Sequence, residues 1–395
     1  MKQDQHTDIL KLFHENALVK VAAPMVRYSK LQFRTLLGIY NCDLCYTPMI
    51  LADSFHKSAK ARRNEFTTNL SDTPLVTQFA ANSVNDFVEA SKIVAPYCDG
   101  VDLNCGCPQR WAKQMGIGCV MLENPELISD LVKQCRNQIP KPFTVSVKMR
   151  LLKNIKSTIE ICRTLDKCGV SYLSVHGRTV SQLTGEVDPT CFKLIVENVN
   201  CPVIANGGVK SLEECYQLQE TTQCKGVMVA NSILTNPTLF SGCGKIDIDC
   251  IQNWVDICYN STLSDYEYSD IIDVQTIYEK PPYLTFQCFH HHLVFMLEKV
   301  LPRHKRRIFN NLQKFRDVLD FLDTEFDIKP KLFDVEDFNK YRILTLWTSE
   351  VEDDNRMDEN YYEVNSGKFF SSKVDVIEQD HEEKDYDLGN IFIET

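Results

Sequence analysis

Eight short β-rich runs, each followed by a segment of helix length, set the tightest limit on how this chain can fold. The runs are VKVAAPM at 19–25, CDLCYTPM at 42–49, PLVTQFA at 74–80, GVDLNCG at 100–106, FTVSVKMR at 143–150, SYLSVHGR at 171–178, CPVIANGG at 201–208 and GVMVAN at 226–231. Between them lie stretches with helical patterning, such as SVNDFVEASKIVAPY, ELISDLVKQCRNQI, IKSTIEICRTLDKCG and SLEECYQLQETT. Strand, helix, strand in regular alternation predicts parallel pairing, because parallel neighbours need a crossover of a dozen residues or more. Eight such units predict a (β/α)8 TIM barrel, with a doubly wound open sheet as the alternative.

The runs begin apolar and most end in chemistry. Their last residues include Pro24-Met25, Gln78, Asn104 with Cys107, Lys148 with Arg150, His176 with Arg178, Asn206-Gly207-Gly208 and Asn231. In a parallel barrel all these ends open on one mouth, where such folds place their active sites. Asn206-Gly207-Gly208 falls at the customary phosphate corner, with a helix start at Ser211. Cys107 lies in Asn104-Cys105-Gly106-Cys107-Pro108, where glycine and proline fix a sharp loop. A thiol there can act as nucleophile, metal ligand or general acid. For a nucleophile, His176 would be the nearby base. Cys105, by strand alternation, packs into the wall. Lys148 can form a Schiff base, serve as a fixed positive charge, or simply pair with a carboxylate.

Composition narrows the class. Seventeen cysteines scattered through apolar runs read as reduced, buried thiols rather than a disulfide framework. Cys42 and Cys45 have metal-like spacing but no second pair completes a zinc set, so no metal is expected. No apolar run approaches the roughly 20 residues of a membrane span. The N-terminal residues show no secretory pattern, and the expected location is the cytoplasm, with the nucleus as a second site. Of the 43 basic and 54 acidic residues, 7 and 18 lie in 331–395, which leaves 36 of each before it. The net charge of −11 therefore belongs to the C-terminal segment, and the remainder is not barred from binding a polyanion.

Six ordered motifs resemble those of the tRNA-dihydrouridine synthases: AAPMVRYS at 22–29, TQFA at 77–80, NCGCPQRWAKQMGIG at 104–118, VKMR at 147–150, VHGRT at 175–179 and ANGG at 205–208. The resemblance covers roughly residues 18–325, and NCGCPQRWA is similar to the 20a/20b subfamily. It implies an FMN-binding TIM barrel at 18–245 after an N-terminal extension (1–17), and a helical tRNA-binding domain at 246–330. It also implies a reaction in which NADPH or NADH reduces FMN and uridine in tRNA becomes dihydrouridine. By resemblance, Cys107 donates a proton. Pro24, Met25, Val26, Gln78, Lys148, His176, Asn206, Gly207, Gly208, Ala230 and Asn231 hold FMN. Asn104, Lys113, Arg150 and Arg178 meet the substrate. The family's usual arginine after the eighth strand is replaced by Asn231-Ser232, which predicts weaker FMN retention.

In the helical segment, Arg303, Lys305, Arg306 and Arg307 form the densest basic cluster and are expected to contact RNA phosphates. His290-His291-His292 is expected to serve packing or RNA contact. Residues 331–395 read as an acidic, mostly disordered tail. No obligate protein partner is expected. Two other readings compete: a flavin barrel reducing a free pyrimidine, and a non-catalytic tRNA-binding relative.

Overall fold

The computed structural model describes residues 6–182, 184–272, 284–344 and 346. Nine strands form one sheet: β1 (Val19–Ala22), β2 (Leu44–Tyr46), β3 (Ile50–Leu51), β4 (Leu75–Ala80), β5 (Gly100–Cys105), β6 (Thr144–Leu151), β7 (Leu173–Thr179), β8 (Val203–Asn206) and β9 (Gly226–Val229). Every pairing is parallel, and the order runs β2-β1-β9-β8-β7-β6-β5-β4-β3, with β2 also joined to β4. That last pairing closes eight strands into the expected barrel and excludes the open sheet. Each expected run contains one barrel strand. The short β3, which prolongs the edge of β4, was not anticipated.

The four expected helices form at Val84–Val94, Pro125–Gln138, Ile155–Cys168 and Leu212–Thr222. Ser83, Asn124, Asn154 and Ser211 cap them, each side chain accepting a first-turn amide. β4 and β5 are buried along their whole length, as strands walled by helices outside and side chains inside must be. The N-terminal extension is not loose: helix Ile9–Glu15 packs Ile9 and Phe13 into the core, and Phe13 meets Tyr172 with ring centroids 5.3 Å apart.

The helical part begins with Ile248–Asn260, close to the expected boundary, yet it shares one apolar core with the barrel. Trp254 lies against Phe33, and the imidazole of His292 packs on both, 4.3 Å from Phe33 and 4.5 Å from Trp254. His292 Nε2 donates to the carbonyl of Tyr28 (3.2 Å), and His290 Nε2 to that of Phe309 (2.9 Å). His291 Nδ1 meets the Tyr28 hydroxyl at 3.2 Å. The histidine tract is therefore a packing seam. Burial lowers the pKa of all three, to about 4 for His291 and about 3 for His292.

Packed chain does not stop at 330. Gln252, Asp256 and Asn260, one helical turn apart, hold the extended backbone that follows. Gln252 Nε2 donates to the Lys329 carbonyl (2.7 Å), and Lys331 N–H donates to Asp256 Oδ1 (2.7 Å). Asn260 both donates to the Lys331 carbonyl (2.7 Å) and accepts from Phe333 N–H (2.9 Å). Helix Val335–Tyr341 then buries Phe338, and the amides of Ile343 and Leu344 bond to the carbonyls of Ser261 and Thr68. The expected tail boundary thus falls inside ordered structure, because side chains on a helix can pair with extended backbone that carries no pattern of its own. The rest of the acidic segment, apart from Leu346, lies outside the described residues.

Candidate active site

Register puts the polar strand residues side by side. Gln78 is level with Asp102, Asp102 with Ser146, Asn104 with Lys148, Arg150 with His176, and His176 with Asn206. Gln78 is fully buried and both ends of its amide are used: Nε2 donates to Asp102 (2.8 Å), and Oε1 accepts from Asn104 Nδ2 (2.9 Å). Asn104 Oδ1 in turn accepts from the amides of Gly106 (3.1 Å) and Cys107 (2.9 Å). Asn104 retains only its second Nδ2 hydrogen for a substrate carbonyl, so it can serve there as a donor and not as an acceptor.

Cys107 stands just past β5, 8% exposed. Burial raises its thiol pKa and Cys119 adds to this, while the amide of Gln109 and the charges of Arg150 and Lys148 oppose it. The thiol therefore keeps its proton at neutral pH, which favours the general-acid reading over the nucleophile. Cys105 is fully buried in the wall, as expected. Behind Cys107 sits Gly118 at φ +73°, where a Cβ would stand 2.7 Å from the Cys107 carbonyl oxygen. Sequence reading quoted Gly118 without singling it out; the paired glycines 116 and 118 were the available signal.

Lys148 is held at a pKa of about 8 by burial and by Arg150, with Asp102 and Cys107 opposing. The structure thus places it as a half-buried cation near Asp102 and Cys107. Arg150 Nε donates to the Gly106 carbonyl at 2.9 Å, so this side chain braces the cysteine loop. His176 was considered as a base. Burial, then Lys148, Arg150 and Arg178, lower its pKa to about 2, and its Nε2 lies 3.3 Å from Arg178 Nη1. It is a neutral imidazole that accepts from arginine, which leaves Nδ1–H as a donor. Arg178 also donates to the Gly185 carbonyl (3.1 Å).

At the phosphate corner, Asn206 Nδ2 donates to the Met228 carbonyl at 2.9 Å, tying β8 to β9. Gly207 and Gly208 follow at φ 126° and 81°; a Cβ on Gly207 would lie 3.1 Å from both His176 and Val187. Successive glycines of this kind leave a bare, concave backbone suited to an anion. Ala230 caps the short helix Asn231–Thr235, and Ser232 Oγ donates to the Val209 carbonyl at 2.6 Å, pinning the glycine loop. Ser232 thus supports the corner from which the arginine is missing. Just beyond the end of β1, the neighbouring strand that pairs with β9, Met25 is fully buried, its amide donating to Ser29 Oγ (2.9 Å), with Pro24 half-buried and Val26 39% exposed.

The outer cations divide by role. Lys113 is exposed on helix Arg110–Gln114. On helix Arg303–Asn310, Arg303 and Arg307 are exposed, one turn apart. Lys305 pairs with Glu325, and Arg306 donates to the Glu298 carbonyl (3.0 Å). Arg303 and Arg307 are thus the exposed cations of the cluster, and Lys305 and Arg306 the partly buried ones. Among the described residues no group of three or more His, Cys, Asp or Glu could hold a metal, and no helix is long and apolar enough to cross a membrane. Cys42 and Cys45 sit with sulfurs 3.7 Å apart.

Comparison with known proteins agrees with this geometry. Residues 21–325 match the family described as Dihydrouridine synthase (Dus). A human protein, tRNA-dihydrouridine(20a/20b) synthase [NAD(P)+]-like, is 45% identical over 327 residues, covering 82% of this chain and 96% of that one. The tRNA-dihydrouridine(20a/20b) synthase [NAD(P)+] of Schizosaccharomyces pombe is 34% identical over 331 residues, 83% of this chain and 94% of its own. Its namesake in Saccharomyces cerevisiae is 34% identical over 316 residues, 79% and 81% of the two chains. Because the match spans the barrel strands, the cysteine loop and the helical seam together, the chain belongs to the dihydrouridine synthase family.

Proposed function

We infer that the protein is an NAD(P)H-dependent tRNA-dihydrouridine synthase that reduces uridine to 5,6-dihydrouridine in the D-loop of tRNA, at positions 20a and 20b, with FMN as its flavin. The observation that carries this reading is Cys107: a protonated, nearly buried thiol at the barrel mouth, its loop amides held by Asn104, beside the half-buried cation Lys148. The donor set fits a flavin nucleotide. The glycine cradle at Gly207-Gly208, with Asn206, the His176 Nδ1 donor, Ala230 and Asn231, would hold the phosphate end. Pro24, Met25, Val26, Gln78 and Lys148 would hold the ring.

Bound flavin supplies hydride to C6 of uracil, the electrophilic end of its enone. As negative charge grows toward C5 and O4, Cys107 gives its proton to C5, and the remaining Asn104 N–H steadies a uracil carbonyl. Lys148, in a site shielded from water, offsets negative charge more strongly than it would at the surface. Arg178 and Lys113 at the mouth, with Arg303 and Arg307 beyond, offer positive charge to the RNA backbone. Flipping the target out of a loop costs less unstacking than taking it from a duplex.

The test is Cys107→Ala. The variant should stay yellow and be bleached by NADPH, while dihydrouridine in tRNA falls about a hundredfold or more, the loss typical of a positioned acid. A normal dihydrouridine yield from that variant would remove Cys107 from the mechanism.

A further inference from the structure

The loop that carries Cys107 is anchored downward into the barrel. The amides of Gly106 and Cys107 donate to Asn104 Oδ1, Asn104 Nδ2 donates to Gln78 Oε1, and Gln78 Nε2 donates to Asp102 Oδ2. Ser146 Oγ donates to the other carboxylate oxygen at 2.6 Å. Gln78, Asp102 and Ser146 are all fully buried. Both amide side chains point the same way, N–H toward Asp102. Turning Gln78 over would set its carbonyl against the carboxylate and its NH2 against that of Asn104. Turning Asn104 over would set its NH2 against two backbone N–H groups. The two ends of the chain therefore enforce one arrangement.

We propose that Asp102 is a positioning residue for Cys107, its carboxylate acting through Gln78 and Asn104 to lock the loop amides that aim the thiol into the barrel mouth. The functional consequence rests on Cys107 being the proton donor. An anion at the end of a hydrogen-bond chain polarises each link in turn, so its charge strengthens the hold of Asn104 Oδ1 on the loop. The titratable groups around Asp102 are Lys148, Tyr46, Tyr172 and Cys105, and Lys148 is the one cation among them. Burial raises the Asp102 pKa to about 6 against Ser146, Gln78 and Lys148, which leaves it ionised at neutral pH.

The test reads the loop directly, by amide hydrogen exchange resolved to residues 104–108 and by the rate at which iodoacetamide alkylates Cys107 in the full chain. Asp102→Ala removes the terminal acceptor and should speed exchange at Gly106 and Cys107 by about tenfold or more and change the alkylation rate. Asp102→Asn keeps the shape and an acceptor oxygen but not the charge, and should speed exchange by about threefold. Adding Gln78→Glu to Asp102→Asn moves the charge one link nearer the loop and should return exchange toward the wild-type rate. In Asp102→Asn, kcat should fall while KM for tRNA holds, since the phosphate contacts lie elsewhere. Wild-type exchange at Gly106 and Cys107 in Asp102→Asn overturns the proposal, and that variant decides the matter should Asp102→Ala fail to fold. An equal acceleration across all barrel strands also overturns it, because a general packing defect has no preference for the loop. Exchange and alkylation, unlike kcat, do not involve uridine reduction, so an active Cys107→Ala enzyme would count against the proton-donor reading and leave the loop result standing.

Discussion

At Gly118 the space behind Cys107 is closed by backbone, which cannot swing aside as a side chain would. Gly118→Ala meets both a left-handed φ and a 2.7 Å approach to the Cys107 carbonyl. The variant should lose about 1–3 kcal/mol of stability, read by urea denaturation, and its turnover should fall even where it is folded. Gly116→Ala, at φ +70° but with only a side-chain atom of Asn82 at 3.1 Å, should be milder in turnover. Lys148→Met removes the half-buried cation, and the measured potential of bound flavin should drop together with turnover. Cys107, Gln78 and Lys148 were legible in the sequence because a polar residue ending an apolar strand stands out. Asp102, inside GVDLNCG, was not. Its role depends on which way two amides on neighbouring strands are turned, and the letters do not carry that. Nor do the letters carry the bond from Arg150 Nε to the Gly106 carbonyl, which braces the cysteine loop.

Helix Arg303–Asn310 shows how one dense cluster splits between jobs. Arg303→Gln with Arg307→Gln should weaken tRNA binding alike for all tRNAs and flatten its salt dependence. Each lost phosphate contact removes about 0.7–0.9 from the log–log slope. Lys305→Gln with Arg306→Gln should in addition cost stability, since Lys305 reaches Glu325 and Arg306 closes the Glu298 carbonyl. Both pairs are partly exposed, so that loss is on the order of 1 kcal/mol. Thermal melts of the two double variants, set beside their tRNA titrations, separate the roles; equal melting points would show that the helix ties contribute nothing. The cluster was visible in the sequence, but the division within it was not, because the partners lie 8 and 20 residues away. The histidine tract belongs to the same category. Packing or RNA contact was expected of it, and the contacts with Phe33, Trp254 and Tyr28 make it a packing seam.

Across the whole molecule the buried titratable groups set a pH profile. His176, His291 and His292 have folded pKa values of about 2, 4 and 3 against 6.5 for the free side chain, so the unfolded chain takes up their protons first. Stability from these three is complete above pH 6.5 and is lost as pH falls below it. Asp102 and Asp256 work the other way: raised to about 6 from 3.8, they favour the folded state as pH falls through 6. The histidines outweigh them, so from pH 7 to pH 5 the protein should lose a few kcal/mol, on the order of 3, at about 1.4 kcal/mol per pKa unit. His292→Phe, which keeps the stack on Phe33 and Trp254, should make the urea midpoint less sensitive to pH; an unchanged slope would show that His292 does not carry it. The barrel itself was legible from eight repeated runs, because periodicity and crossover length leave few alternatives. The packing of the chain after 328 was not, since Gln252, Asp256 and Asn260 seize carbonyls and amides that every polypeptide possesses. That polar grip is indifferent to spelling. Mutations can drift through residues 329–333 without loosening it, so helix Val335–Tyr341 starts from a fixed mooring whatever letters precede it.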